Sequence, residues 1–170
     1  MPRLHVCSLP RLAATTRETG ASHVMTLIKN IAMAPTPDGI HPDRHLRLDF
    51  ADIVEPREGE VPPGPEHVRE IIRFARSWDR AAPMVVHCFA GVSRSTAGAF
   101  ISACLLMPGR DEHELARHIR LASPTATPNA RLIAFADAML ERDGRMIAAI
   151  QSIGRGEECY EGVPFHIDIA

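Results

Sequence analysis

The chain has 170 residues, 45% of them apolar and 24% charged, and a formal net charge of −2. That composition excludes a disordered chain, and the charge balance gives no general pull toward nucleic acid or anionic membranes. The length suits one domain with a real core, so residues 1–170 are expected to form a single unit.

The opening stretch MPRLHVCSLPRLAATT lacks the sustained apolar region of a signal peptide, and no element is assigned to it. No later run approaches the roughly 18 apolar residues of a membrane span, so a cytoplasmic protein without a membrane partner is expected. HVMTLI (His23–Ile28) and HLRLDF (residues 45–50) read as short strands, the second setting His and Arg against Leu. EPREGEVPPGP (residues 55–65) cannot continue a helix or a central strand and reads as an exposed loop long enough to be functional. Pro65 suits the first position of a helix, and Val68, Ile71, Ile72 and Ala75 then fall on one face. PMVVH (residues 83–87) has the character of a buried strand. STAGAFISACLLM (residues 95–107) is apolar on nearly all sides and predicts a helix buried in mid-domain. Three further helices are predicted over residues 111–122, 128–142 and 144–153, and no structure is assigned to the tail. Strands alternating with helices, then a helical C-terminal half, predict an α/β domain: a central mixed sheet of about four to five strands flanked by helices.

VVHCFAGVSRSTAG (residues 85–98) joins the end of the last of these strands to the start of the buried helix. Open α/β sheets place ligand sites there. A loop folding back onto a helix N-terminus turns successive N–H groups inward and adds the positive end of the helix dipole, which favours a dianion such as phosphate. The backbone of Phe89, Ala90, Gly91, Val92, Ser93 and Arg94 is the expected cradle. Gly91 permits the tight turn, and the planar fork of Arg94 matches two phosphate oxygens. Cys88, at the base, sits in a positive field where a thiolate can attack phosphorus. Ser95 is placed to donate to the sulfur as it leaves, and His87 to hold the loop from behind. A lone cysteine after an apolar strand is usually a small core residue, but that reading leaves Gly91, Arg94 and His87 unexplained at their offsets.

His87-Cys88-x-x-Gly91-x-x-Arg94-Ser95 resembles the signature of the cysteine-dependent protein tyrosine phosphatases, with the wording CFAGVSRST nearest the dual-specificity-like branch. The likeness is most specific over residues 85–98 and extends more loosely from the strand at His23 to about Leu140, including PTATPN, similar to a proline-asparagine turn before a late helix. It implies a phosphatase-like fold and a phosphocysteine intermediate. It also implies a general acid, an aspartate on a mobile loop ahead of the cysteine. In the dual-specificity pattern the acid falls four residues after an apolar strand position, and counting from Leu48 gives Asp52. Asp49 is the alternative, better suited to fixing the loop, with Glu55 and Glu58 behind it. The implied substrate is a phosphorylated protein, phosphotyrosine first, or a small phosphoester.

The four cysteines (Cys7, Cys88, Cys104, Cys159) form no C-x-x-C pair and suit neither a zinc site nor a disulfide framework, so a reducing compartment is expected. Cys104 is expected in the core, while Cys7 or Cys159 could form a disulfide with Cys88. Neither His113 with His118 nor His41 with His45 makes a metal site by spacing, and the chemistry calls for no metal or cofactor. Arg120 and Arg131 flank SPTATPN and are left outside the site. Two rivals stay open: an idle phospho-binding module of the same fold, and redox chemistry on the Cys-x5-Arg loop, for which no resolving cysteine stands near. No sequence feature specifies an oligomeric state.

Overall fold

The computed structural model describes all 170 residues, Met1–Ala170. Five strands form one sheet in the order β3-β2-β4-β1-β5, where β1 is Arg3–Cys7, β2 His23–Ile28, β3 His45–Asp49, β4 Met84–His87 and β5 Phe165–Asp168. β1 to β4 run parallel, and β5 lies antiparallel against β1. Six helices surround the sheet: α1 Leu12–Thr19, α2 Pro65–Ser77, α3 Arg94–Leu106, α4 Glu112–Ala122, α5 Ala130–Met139 and α6 Arg145–Ile153. The mixed α/β sheet and the helical C-terminal half follow the sequence pattern.

Alternation along the strands sorts side chains onto two unequal faces. Leu4, Val6, Met25, Leu27, Met84 and Val86 enter the main core with α2 to α6. Cys7, Val24 and Val85 point the other way, into a small cluster with Leu12 of α1, Ala21 and Ile40. The all-round apolar α3 is buried along nearly its whole length, as its composition requires. α2 starts with Pro65 at its first turn and buries Val68, Ile71, Ile72 and Ala75, the predicted face.

β1, α1 and β5 have no counterpart in the sequence reading. RLHVC interleaves Arg3 and His5 with its apolar residues, which hides a strand that pairs on both sides. β5 alternates buried and exposed over four residues, too few to stand out in a polar tail. α5 begins two residues later than predicted because Asn129 is its N-cap, its side chain accepting from the amides of Arg131 and Leu132. It ends before Glu141 and Asp143, both in left-handed conformations at φ 54° and 53°. α6 is capped from a distance by Asp137, whose carboxylate accepts from the amides of Gly144, Met146 and Ile147.

Candidate active site

β4 ends at His87, and the chain turns through residues 88–93 before α3 begins at Arg94. Gly91 makes the turn possible. Its φ is +73°, and a Cβ there would lie 2.9 Å from the Cys7 carbonyl carbon and the Ser8 nitrogen. The loop is pressed against the end of β1 and tolerates no side chain at that point.

Five of the six carbonyls of residues 88–93 are hydrogen-bonded, that of Gly91 being the exception. Cys88 O accepts from His87 Nδ1 at 3.0 Å. Phe89 O accepts from the Leu9 amide at 3.0 Å, and Ala90 O from the Gly162 amide at 2.8 Å. Val92 O takes the Thr127 amide and the Thr96 hydroxyl, and Ser93 O takes the amides of Ala97 and Asn129. The amides of Phe89, Ala90, Val92, Ser93 and Arg94, by contrast, donate to no protein atom, while that of Gly91 points at Cys88 Sγ, 3.3 Å away. Acceptors out and donors in is the arrangement of an anion-binding nest at a helix N-terminus.

Cys88 Sγ lies buried at the base, 3.1 Å from Ser95 Oγ. Arg94 is buried too, anchored by Nη1 donating to Phe50 O at 2.9 Å, while its buried Nε has no protein partner. A buried guanidinium N–H without an acceptor is costly unless a ligand oxygen meets it.

The two acid candidates separate cleanly. Asp49, the last residue of β3, accepts the amides of Asn30 and Ile31 at 3.0 and 3.2 Å, so it closes the turn after β2. Asp52 stands beside the loop, its Oδ1 accepting from Ser93 Oγ at 2.7 Å and from Asn129 Nδ2 at 2.9 Å. Asn129 Nδ2 also reaches Ile53 O at 3.2 Å. Glu55 and Glu58 make no hydrogen bond or ion pair that ties them to the loop. The segment that carries Asp52 is closed by the Ala51 amide donating to Val61 O, and docked on α5 by Arg131 Nε donating to Pro63 O. Arg131 therefore holds a loop, and Arg120 likewise grips the carbonyls of Ala126, Ile153 and Gly154.

Three contributors escaped the sequence reading. Asn129 was visible only as part of a turn, yet it joins Asp52, the loop and α5. The tail crosses the outer side of the loop: Glu161 accepts from Ser8 Oγ and Arg11 Nε, and a Cβ on Gly162 would stand 2.6 Å from Gly91 O. Thr26, a buried hydroxyl in an otherwise apolar strand, bonds His87 Nε2 at 2.7 Å and His45 Nε2 at 2.6 Å. Beside the loop opens a cavity of about 890 Å³, walled by Asp52, Ser93, Thr127, Arg155, Glu158 and Tyr160 among others. It adjoins Asp52 and the outer loop residues Val92 and Ser93, and Cys88 does not line it.

Burial pushes His87 down to about 4, so its ring is neutral at pH 7. Burial pushes the Cys7 thiol up to about 11 and that of Cys104 up to about 12, which leaves both as thiols; Cys104 is in the core, as expected. No group of three or more His, Cys, Asp or Glu side chains is arranged to hold a metal ion.

Residues 55–130 match the family model described as protein-tyrosine phosphatase. The chain is similar to that family over this stretch, which includes Cys88, Gly91, Arg94 and Ser95. The fold recurs in human DUSP28, at 17% identity and TM-score 0.61, covering 82% of this chain and 94% of that one. The human tyrosine phosphatase-like serine/threonine/tyrosine-interacting protein aligns at 18% identity and TM-score 0.61, over 82% and 92% of the two chains. PTPMT1, in complex with PI(5)P, aligns at 16% identity and TM-score 0.54, over 79% and 86%. No curated protein sequence matches the chain. No helix of the chain is long and apolar enough to cross a membrane.

Proposed function

We propose that this protein hydrolyses phosphomonoesters through a phosphocysteine intermediate, with phosphotyrosine in proteins as the leading substrate class. The observation that supports it best is the loop around Cys88, where the amides of Phe89, Ala90, Val92, Ser93 and Arg94 and the buried Nε of Arg94 have no protein acceptor, and the Gly91 amide donates to Cys88 Sγ. In the first step the Cys88 thiolate attacks phosphorus, and the bond to the leaving oxygen breaks as Asp52 gives that oxygen a proton. Oδ1 of Asp52 already holds Ser93 and Asn129, so Oδ2 is the oxygen suited to carry the proton. In the second step Asp52 takes a proton from water, the water oxygen attacks phosphorus, and the P–S bond breaks. Ser95, at 3.1 Å, donates to the departing sulfur, and inorganic phosphate is released. The loop amides and Arg94 stabilise the equatorial oxygens throughout.

Phe89, Ala90 and Val92 supply no cation inside the loop, which favours a substrate with a single phosphate over a polyphosphorylated inositol. Phe89 also presents an exposed ring at the loop edge, suited to an aryl leaving group. The chemistry needs a reduced Cys88, so the cytoplasm is the expected compartment. The test is phosphate release from a panel of phosphopeptides, phosphoinositides and nucleotides. Wild type should be active on phosphotyrosine peptides, and Cys88→Ser inactive. Absence of turnover on every substrate would favour a phospho-binding module.

A further inference from the structure

Behind the catalytic loop, four side chains form an unbroken line from the half-buried Thr36 to the loop itself. Thr36 Oγ1 lies 2.8 Å from His45 Nδ1. His45 Nε2 lies 2.6 Å from Thr26 Oγ1, which lies 2.7 Å from His87 Nε2. His87 Nδ1 lies 3.0 Å from Cys88 O. Thr26 and His87 are register partners in the parallel pairing of β2 and β4, so the sheet itself sets their approach.

The last member sets the direction of the whole chain. A carbonyl oxygen can only accept, so His87 Nδ1 carries the proton. A neutral His87 then has a bare Nε2, which takes the Thr26 hydroxyl proton. Thr26 Oγ1 is left to accept from His45 Nε2–H, and His45 Nδ1 to accept from the Thr36 hydroxyl. No other assignment of two neutral rings satisfies all four contacts. Burial keeps both rings neutral at pH 7, with His45 and His87 each lowered to about 4. Thr26 and His87 are fully buried, so an unmade bond here would strand a polar atom without water.

We propose that Thr26 and His45 are positioning residues for the catalytic loop: through this chain they hold the Nδ1-protonated form of His87, which keeps the Cys88 carbonyl turned away from the phosphate cradle. This rests on reading the loop as a phosphate site. Cys88 O and Cys88 Sγ belong to one residue, so a carbonyl that swings inward brings a negative oxygen toward a dianion and displaces the sulfur with it. The Thr26 hydroxyl thus acts on the reacting atoms without touching them.

Ring ¹⁵N chemical shifts of the folded wild type should show His87 protonated at Nδ1 and His45 at Nε2. The opposite form of His87 overturns the proposal, whatever the protein hydrolyses. Thr26→Ser, which keeps the hydroxyl, should retain both tautomers and the wild-type kcat. Thr26→Val, which keeps the shape, should lose the fixed tautomers, bind inorganic phosphate more weakly and lose kcat on an aryl phosphate by on the order of 10- to 100-fold. His45→Gln, which breaks the chain one step further from the loop, provides the same reading if Thr26→Val fails to fold. A folded Thr26→Val with wild-type kcat and phosphate affinity overturns the positioning role. A wild type that neither binds inorganic phosphate nor hydrolyses any phosphoester instead refutes the phosphatase reading.

Discussion

Asn129 offers the sharpest separation of acid function from stability, because one substitution changes a single atom's role. In Asn129→Asp, one side-chain oxygen still accepts from the amides of Arg131 and Leu132, so α5 keeps its cap. The other oxygen replaces the Nδ2 donor and faces Asp52 Oδ1 across the 2.9 Å now bridged by a hydrogen bond. Two unit charges about 3 Å apart repel by roughly 1.4 kcal/mol at the permittivity of water, and by roughly 5.5 kcal/mol at an effective dielectric near 20. Asp52 is exposed, so the smaller figure governs, and about 1.4 kcal/mol is worth one pH unit. The repulsion favours the protonated acid, so the alkaline limb of the kcat profile should move up by about one unit. Loss of the hydrogen bond should at the same time lower kcat on poor leaving groups by on the order of 100-fold, with activated aryl phosphates much less affected. Asn129→Ala is the control: it loses the cap as well, and about 1 kcal/mol of stability with it. The assay is kcat against pH for two aryl phosphates of different leaving-group strength, beside urea denaturation of both variants. An Asn129→Asp enzyme with an unshifted profile and an unchanged leaving-group dependence would refute Asp52 as the acid.

Asp52→Asn should reproduce the leaving-group selectivity without the pH shift, and equal losses on good and poor leaving groups would sink the assignment. Gly91→Ala should abolish phosphate binding or destabilise the fold by about 1–3 kcal/mol, since its Cβ would meet the β1 backbone at 2.9 Å; a stable, active variant would contradict the packing. Acid stability supplies a test of the buried histidines. His45 and His87, ordinarily near 6.5, are held to about 4 in the folded state, so the unfolded chain binds more protons between those values. Stability is complete above about pH 6.5 and falls as pH drops toward 4, by up to on the order of 3 kcal/mol for His87. His5, His23 and His67, also lowered by burial, add to the slope in the same direction. Urea midpoints that stay flat from pH 7 to pH 5 would contradict it.

The Cys88 loop stood out in the sequence because particular side chains fall at particular offsets: Cys88, Gly91, Arg94 and Ser95. Counting from the strand near Leu48 pointed to Asp52, which lies beside the Cys88 loop, while Asp49 closes the turn after β2. What surrounds the loop was less visible, for a physical reason. Leu9, Thr127 and Gly162 act through backbone amides, and a backbone hydrogen bond leaves no mark on residue type. Thr26 looks like any β-branched residue in a strand; the only clue is a hydroxyl where every neighbour is apolar. β1 pairs on both edges but is five residues long and half polar, so its identity depends on partners distant in sequence.

Those distant partners also set the order in which the Cys88 loop can be completed. Ser8 and Leu9 approach the loop from one end of the chain, while Glu161 and Gly162 reach it from the other. A nascent chain released through α3 already contains Cys88 and Arg94, but nothing yet holds the Ala90 carbonyl outward. Only when residue 162 has left the ribosome, and its segment has met the N-terminal one, is the cradle complete. The loop is thus finished only after residue 162 is in place, and a chain interrupted before that point carries Cys88 without the contact that holds the Ala90 carbonyl.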